Sequence, residues 1–372
     1  MAQKRVFYAC QGVLFLERND NTGHEDISLA TFLTGVQSVG VDGSMPSTSL
    51  SDLGRFQRKW KFDIIKQREF SITIERILNK GDNTFYKTAN YGNNYNTNHL
   101  LHEDNIGTQG QLNPNDKSLK NYDIVLIYGP DDSDRLDTNT TLHNVVYRNC
   151  LITNLSYNFS VDGYATESIT LTTKEADYDA TGSYTLPVES APQDGNVIKR
   201  QDIDFVESTL PDEAENIFKD AVTDTENGQA IIGLQSISID LTIDYTELND
   251  VGIVRGADTG GEQNLWKFVS LPVQITSSFT GVSRAIYPLD DWEIEDTKFP
   301  NDKNIKIVAD GLTDEFYIWD LGKKNYLENI SVSGGDTGGG NVELTLSYRN
   351  DYSDLVIARH SAVYDITQTG TL

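Results

Sequence analysis

The sequence predicts an all-β protein with a minor helical part, built as two tandem modules, each a β-sandwich or open barrel with a flanking helix or loop. Three observations carry this: a turn-rich and strand-rich composition, strict alternation in several segments, and an internal repeat. Tyr, Phe, Val, Ile and Thr recur between clusters of Gly, Asn, Asp and Ser, the composition of many short strands joined by turns. The 372 residues leave room for two domains, each large enough to bury its own core.

The repeat fixes the architecture before any single element is assigned. Gly35-Val36-Gln37-Ser38-Val39-Gly40-Val41-Asp42 matches Gly233-Leu234-Gln235-Ser236-Ile237-Ser238-Ile239-Asp240. At the same offset Leu50 to Gly54 matches Leu248 to Gly252. A second block matches Asn154-Leu155-Ser156 to Asn329-Ile330-Ser331 and, at one constant offset, Ile169 to Lys174 with Leu344 to Arg349. Order and internal spacing are kept. The expected modules are residues 1–185 and 186–372, with a Gly- and Pro-containing linker at about 176–197. The first carries an extra stretch from about Asn79 to Asn121, rich in Asn, Gly and Tyr, that lacks strand or helix periodicity and predicts a long surface loop.

Within the matched segments apolar and polar residues alternate, the mark of half-buried strands. Leu155, Tyr157, Phe159 and Val161 point one way, and Asn154, Ser156, Asn158, Ser160 and Asp162 the other. Ile237, Ile239 and Leu241 oppose Ser236, Ser238 and Asp240, and Leu344, Leu346 and Tyr348 oppose Glu343, Thr345 and Ser347. The wet faces are mostly Ser, Thr and Asn, with almost no Lys or Arg. One helix is predicted: Thr209 as N-cap, Pro211 and Asp212 in the first turn, and an apolar stripe of Ala214, Ile217, Phe218 and Ala221 before Asn227-Gly228.

A formal charge of −26 makes the average surface repel nucleic acid and anionic membrane. Arg55, Arg58, Lys59, Lys61, Lys66 and Arg68 cluster near the N-terminus, where they suit either a contact with the acidic edge of another subunit or a solvated mixed-charge segment. Cys10 and Cys150 are the only cysteines and are expected as free thiols. No apolar run approaches the length needed to cross a bilayer as a helix, so the protein is expected to be soluble and made in a cytoplasm.

Candidate chemistry is weak. His99, His102, Glu103 and Asp104 are metal-like but sit in an Asn-rich stretch with no helix to fix them. Asp131, Asp132, Asp134 and Asp137 lack the glycine and glutamate of a calcium loop. The Gly256 to Gly261 and Gly334 to Gly340 stretches precede no Lys-Ser or Lys-Thr and predict hairpin turns rather than phosphate loops. Trp60-Lys61-Phe62 and Trp266-Lys267-Phe268 hold similar places in the two halves, and with Trp292 and Trp319 they predict packing rather than a sugar platform. Common catalytic signatures are absent. No enzyme activity, cofactor or metal is expected.

The strand and turn Gly35 to Gly54, and above all Ile152 to Gly163 running through Glu167 to Leu171, resemble the tail tube proteins of tailed bacteriophages; the latter hairpin looks like that family's C-terminal β-hairpin. The resemblance implies a structural subunit of the virion tail, assembled in the host cytoplasm into stacked rings that conduct DNA during ejection. An ordinary ring takes six single modules, so a duplicated chain implies a trimer with pseudo-sixfold symmetry. Implied partners are the chain itself, genomic DNA and tape measure protein in the lumen, tail terminator and baseplate or tip proteins and, in a contractile tail, a sheath, but no membrane. About twenty-four strands at roughly 4.8 Å each give a circumference on the order of 115 Å, wide enough for a duplex. The channel-facing residues would then be Ser38, Asp42, Asn154, Ser156, Asn158, Ser160, Asp162, Ser236, Ser238, Asp240, Glu343 and Thr345, with Arg55, Arg58 and Lys59 between rings. The alternative is a β-sandwich tail protein that binds carbohydrate or a receptor, which exposed aromatics on the wet faces would mark.

Overall fold

The computed structural model describes residues 8–17, 31–44, 47–51, 59–64, 68–80, 111–112, 122–130, 142–179, 197–205, 233–248, 266–269, 274–282, 305–310, 316–321, 325–334, 342–350 and 356–360. The protein is all-β. Its strands in the first half are β1 (Tyr8–Glu17), β2 (Thr31–Phe32), β3 (Val36–Ser44), β4 (Ser47–Ser51), β5 (Lys59–Ile64), β6 (Glu69–Ile77), β7 (Gln111–Leu112), β8 (Tyr122–Pro130), β9 (His143–Ser160), β10 (Thr166–Thr173) and β11 (Glu175–Asp179). They continue as β12 (Ile203–Phe205), β13 (Leu234–Thr242), β14 (Tyr245–Leu248), β15 (Trp266–Val269), β16 (Gln274–Val282), β17 (Lys306–Asp310), β18 (Phe316–Asp320), β19 (Tyr326–Ser333), β20 (Glu343–Asn350) and β21 (Val356–His360). A single 3-10 turn, Arg200–Asp202, is the helical element among the described residues. The helix expected from Thr209 lies outside them.

The chain forms two compact units that are discontinuous in sequence. One comprises Met1–Arg76, Lys120–Thr153 and Ser168–Pro192. In it β1 pairs antiparallel with β8 and with the short β2, and β8 pairs with β9, whose far side carries β11. Val13 to Leu16 and Ile124 to Ile127 are all buried, so β1 and β8 are covered on both faces. Their near-continuous apolar runs follow from that. Leu14, Leu16, Val125, Ile127 and Val146 form one cluster with Phe32 and Leu142 packed against it. The same unit holds the β4–β5 hairpin and the ladder of β3 on β6, where Ile72 and Ile74 are fully buried.

The other unit comprises Ile77–Leu119, Asn154–Glu167 and Gln193–Leu372. Its main sheet runs β9-β13-β16-β20-β19, with every neighbour antiparallel. Its apolar face, with Leu155, Tyr157, Phe159, Ile237, Ile239, Leu241, Phe279, Leu346 and Tyr348, is buried. A second sheet, β12-β17-β18-β21, supplies the layer above through Trp319, whose ring stands edge-on to Tyr157 and Phe159 at 5.6 and 4.9 Å. Burying the faces of two sheets against each other is the reason the strands alternate. The long stretch expected to be all loop departs from that expectation at Gln111–Leu112, which pairs with β15 to complete a β14-β15-β7 sheet. Extended backbone here needs no periodic sequence, because two residues are too few to show a period.

A polar knot closes the start of this unit. Leu78 N–H donates to Ala165 O, Ala165 N–H to Ile198 O and Ile198 N–H to Leu78 O. Beside it Lys80 Nζ donates to Asp202 Oδ1 at 2.5 Å, and the other oxygen of Asp202 accepts the Lys199 N–H at 2.8 Å.

The strands bearing the matched sequences take the same order, β3-β6-β10-β9 and β13-β16-β20-β19. Gly35 and Gly233, matched in sequence, both enter their strands at positive φ, 72° and 106°. Two residues later both ladders slip at matched places, between Val36 and Ser38 on β3 and between Leu234 and Ser236 on β13.

Candidate functional site: a hydroxyl- and amide-rich sheet face

The polar face opposite the core is built first from the β9–β13 ladder. Ser160 lies opposite Ser236, Asn158 opposite Ser238, Ser156 opposite Asp240 and Asn154 opposite Thr242. The intervening pairs, Phe159 with Ile237, Tyr157 with Ile239 and Leu155 with Leu241, are buried on the other side. Val161 N–H donates to Gln235 O at 2.9 Å, which makes the apolar pairs the backbone-bonded ones and the polar pairs the closely spaced ones. Neighbouring polar side chains therefore meet. Asn154 Nδ2 donates to Thr242 Oγ1 at 3.4 Å, and the Asp162 N–H donates to Ser160 Oγ at 3.3 Å in the turn that follows.

Further strands extend the same chemistry. Thr280 and Thr345 hydroxyls sit 3.0 Å apart across β16 and β20, and Glu343 accepts from Ser333 Oγ at 3.5 Å. In the first unit, Thr73 and Thr170 repeat the threonine pair at 3.3 Å, and Ser38 Oγ donates to Glu75 Oε2 at 2.8 Å. Ser38, Asp42, Asn158 and Asp162 are exposed; Asn154, Ser156, Ser160, Ser236, Ser238, Asp240, Glu343 and Thr345 are half-buried. All twelve lie in or beside strands whose alternate residues turn inward. Half-burial raises the Asp240 carboxyl above the ordinary carboxylate value, because removing water disfavours its charge.

The near absence of basic residues expected of these faces does not hold at one end. The row Ser156, Asp240, Thr276, Arg349, Tyr326 crosses five strands, and Arg349 pairs with Glu328 at 3.7 Å. Its match in the first half is Lys174, just beyond β10. Also missed were Glu75, Thr73, Thr276 and Thr280. Alternation in Glu69–Ile77 marks the first two, whereas Ser277, buried on the apolar side, breaks the pattern of β16.

Other expected positions resolve differently. Arg55 and Arg58, the His99 to Asp104 cluster, the Asp131 to Asp137 run, Gly256 to Gly261 and Trp292 lie outside the described residues, and Lys59 opens β5. Gly334 follows β19 at φ 101°, and the rest of Gly334 to Gly340 lies outside the described residues. Trp319 is core. Cys10 and Cys150 are not joined in a disulfide; burial raises the Cys10 thiol, and desolvation, with smaller contributions from Cys10 and Tyr147, pushes the Tyr128 phenol up to about 12. Neither group is activated as a nucleophile. Among the described residues no three His, Cys, Asp or Glu converge as metal ligands, and no helix is long and apolar enough to cross a membrane.

In each unit the polar face can accept and donate neutral hydrogen bonds. Comparison with known proteins gives no match to any family model and none to a curated protein.

Proposed function

We propose that the chain is a structural subunit of a bacteriophage tail tube, with two copies of the tube module fused in one polypeptide. Three chains form a pseudo-hexameric ring, and stacked rings form the conduit for DNA ejection. One observation carries the reading: the last strand of the first matched set, β9, ladders onto the first strand of the second, β13, keeping polar residues on one face and apolar residues on the other. Across this ladder the wet side runs unbroken from one matched set to the next, as the wall of a channel requires. The matched strand orders, positive-φ glycines and ladder slips support a duplication.

A wall of hydroxyls and amides suits a conduit. Short neutral side chains offer a passing phosphate backbone no ladder of cations to grip, and Asp42, Asp162, Asp240, Glu75 and Glu343 repel it. Arg349, paired with Glu328, and Lys174 are too few to reverse its sign. The tape measure protein and DNA occupy the lumen in this reading. Native mass spectrometry of the concentrated protein tests it: three chains of 41.5 kDa or multiples of three are expected, and a monomer at every concentration would overturn it.

A further inference from the structure

The β9–β13 ladder is a template for a second ladder, because its two strands have matched counterparts elsewhere. The counterpart of β13 is β3, and that of β9 is β19. Both stand at the ends of the strand order, and among the described residues each carries a ladder on one side, β3 with β6 and β19 with β20. An open strand edge is a surface for pairing with another strand. We infer that β19 of one chain receives β3 of a second copy, antiparallel and in the register that β9 and β13 already use. This rests on the tube reading and specifies its subunit joint.

The register follows residue by residue. Ser156 opposite Asp240 becomes Ser331 opposite Asp42; Tyr157 opposite Ile239 becomes Val332 opposite Val41; Asn158 opposite Ser238 becomes Ser333 opposite Gly40. Hydroxyl to carboxylate is kept at Ser331 and Asp42 and apolar to apolar at Val332 and Val41, while Gly40 brings no side chain against Ser333. A shift by one residue would put Val332 against Asp42 or Gly40 and invert the faces.

Exposure agrees with a missing neighbour. Val332 is 54 % exposed, whereas Tyr157, at the matched position, is 3 % exposed beneath Trp319 and beside Ile239. Among the described residues the other large apolar side chains at such exposure are Tyr164 and Tyr178. Ser331, Ser333, Gly40 and Asp42 are exposed as well. The two edges differ from each other, so the contact is head-to-tail and closes into a ring when the rotation per chain divides a full turn.

The test uses cysteine pairs in the full chain. Position 40 is open, with nothing within 4 Å of an added Cβ, and the 40/333 pair inherits the closely spaced type of the 158/238 pair, whose Cβ separation suits a disulfide. Gly40→Cys and Ser333→Cys chains, mixed and oxidised, are expected to give covalent dimers on non-reducing denaturing gels at least tenfold above Gly40→Cys mixed with Asn329→Cys. The double variant G40C/S333C gives closed covalent oligomers. The parent chain controls for Cys10 and Cys150. Separately, V332D is expected to keep the parent melting temperature, since its side chain is exposed, and to raise the concentration needed for assembly at least tenfold. Rings that form without 40/333 cross-links, or with equal 40/329 cross-links, would overturn the joint and leave the tube reading standing. A protein that neither cross-links nor assembles would overturn both.

Discussion

Trp319 of β18 stands edge-on to Phe159 of β9, ring centroids 4.9 Å apart and planes 70° to each other. The contact ties the second sheet to the strand that joins the two matched sets, because Tyr157 on the same strand meets the same indole at 5.6 Å. Trp319→Ala removes a buried indole from between the layers and is expected to cost about 3–5 kcal/mol of stability. Urea denaturation followed by far-UV circular dichroism measures it; a loss under about 1 kcal/mol would mean that the layers are held elsewhere.

Gly233 has φ 106°, and an added Cβ would lie 2.5 Å from Val282 O, which belongs to the residue whose N–H donates to Gly233 O at 2.7 Å. Gly233→Ala is therefore expected to destabilise by at least about 1–3 kcal/mol. Gly40→Ala, in open space, is expected to stay within about 0.5 kcal/mol. Equal effects of the two in thermal melts would contradict the strand-entry geometry.

Asp240 ionises in a half-buried place, so its folded-state value lies above the unfolded one. A raised acid binds more protons folded than unfolded, and the stability of the parent falls as pH rises from the ordinary carboxylate value through the raised one. Asp240→Asn is expected to melt higher than the parent at pH 7. The advantage should shrink as pH falls through that window and vanish below it. A variant that melts lower at pH 7 would show that the carboxylate makes a compensating contact.

Lys80 and Asp202 form a largely buried pair, with side chains 16 % and 8 % exposed, beside the Leu78, Ala165 and Ile198 knot. Asp202→Ala leaves the ammonium uncompensated and the Lys199 N–H without its side-chain acceptor, at an expected cost of about 3–5 kcal/mol. The double change K80M/D202L is expected to cost less than Asp202→Ala. A double-mutant cycle with no coupling would remove the pair from the account.

Much of this was legible in the sequence where the period was clean. Leu155 to Ser160 and Ser236 to Leu241 alternate without interruption, and their faces follow directly. Pairing between them was not legible, because alternation fixes which face a residue takes and not which strand lies beside it. The polar-face residues of β16 were hidden by Ser277, whose small hydroxyl fits the core. The place of Arg349 was not legible for a different reason: a sequence shows its charge but not the row it shares with Asp240 across Thr276. The short β7 pairs over two residues, too few for a period to mark it in the sequence.

Negative-stain electron microscopy of the purified, concentrated protein tests the central claim most directly. The account predicts annular particles with threefold, near-sixfold end views and an open lumen wide enough for a duplex, stacking into hollow tubes. Particles that remain single and compact at every concentration, salt and pH would contradict it.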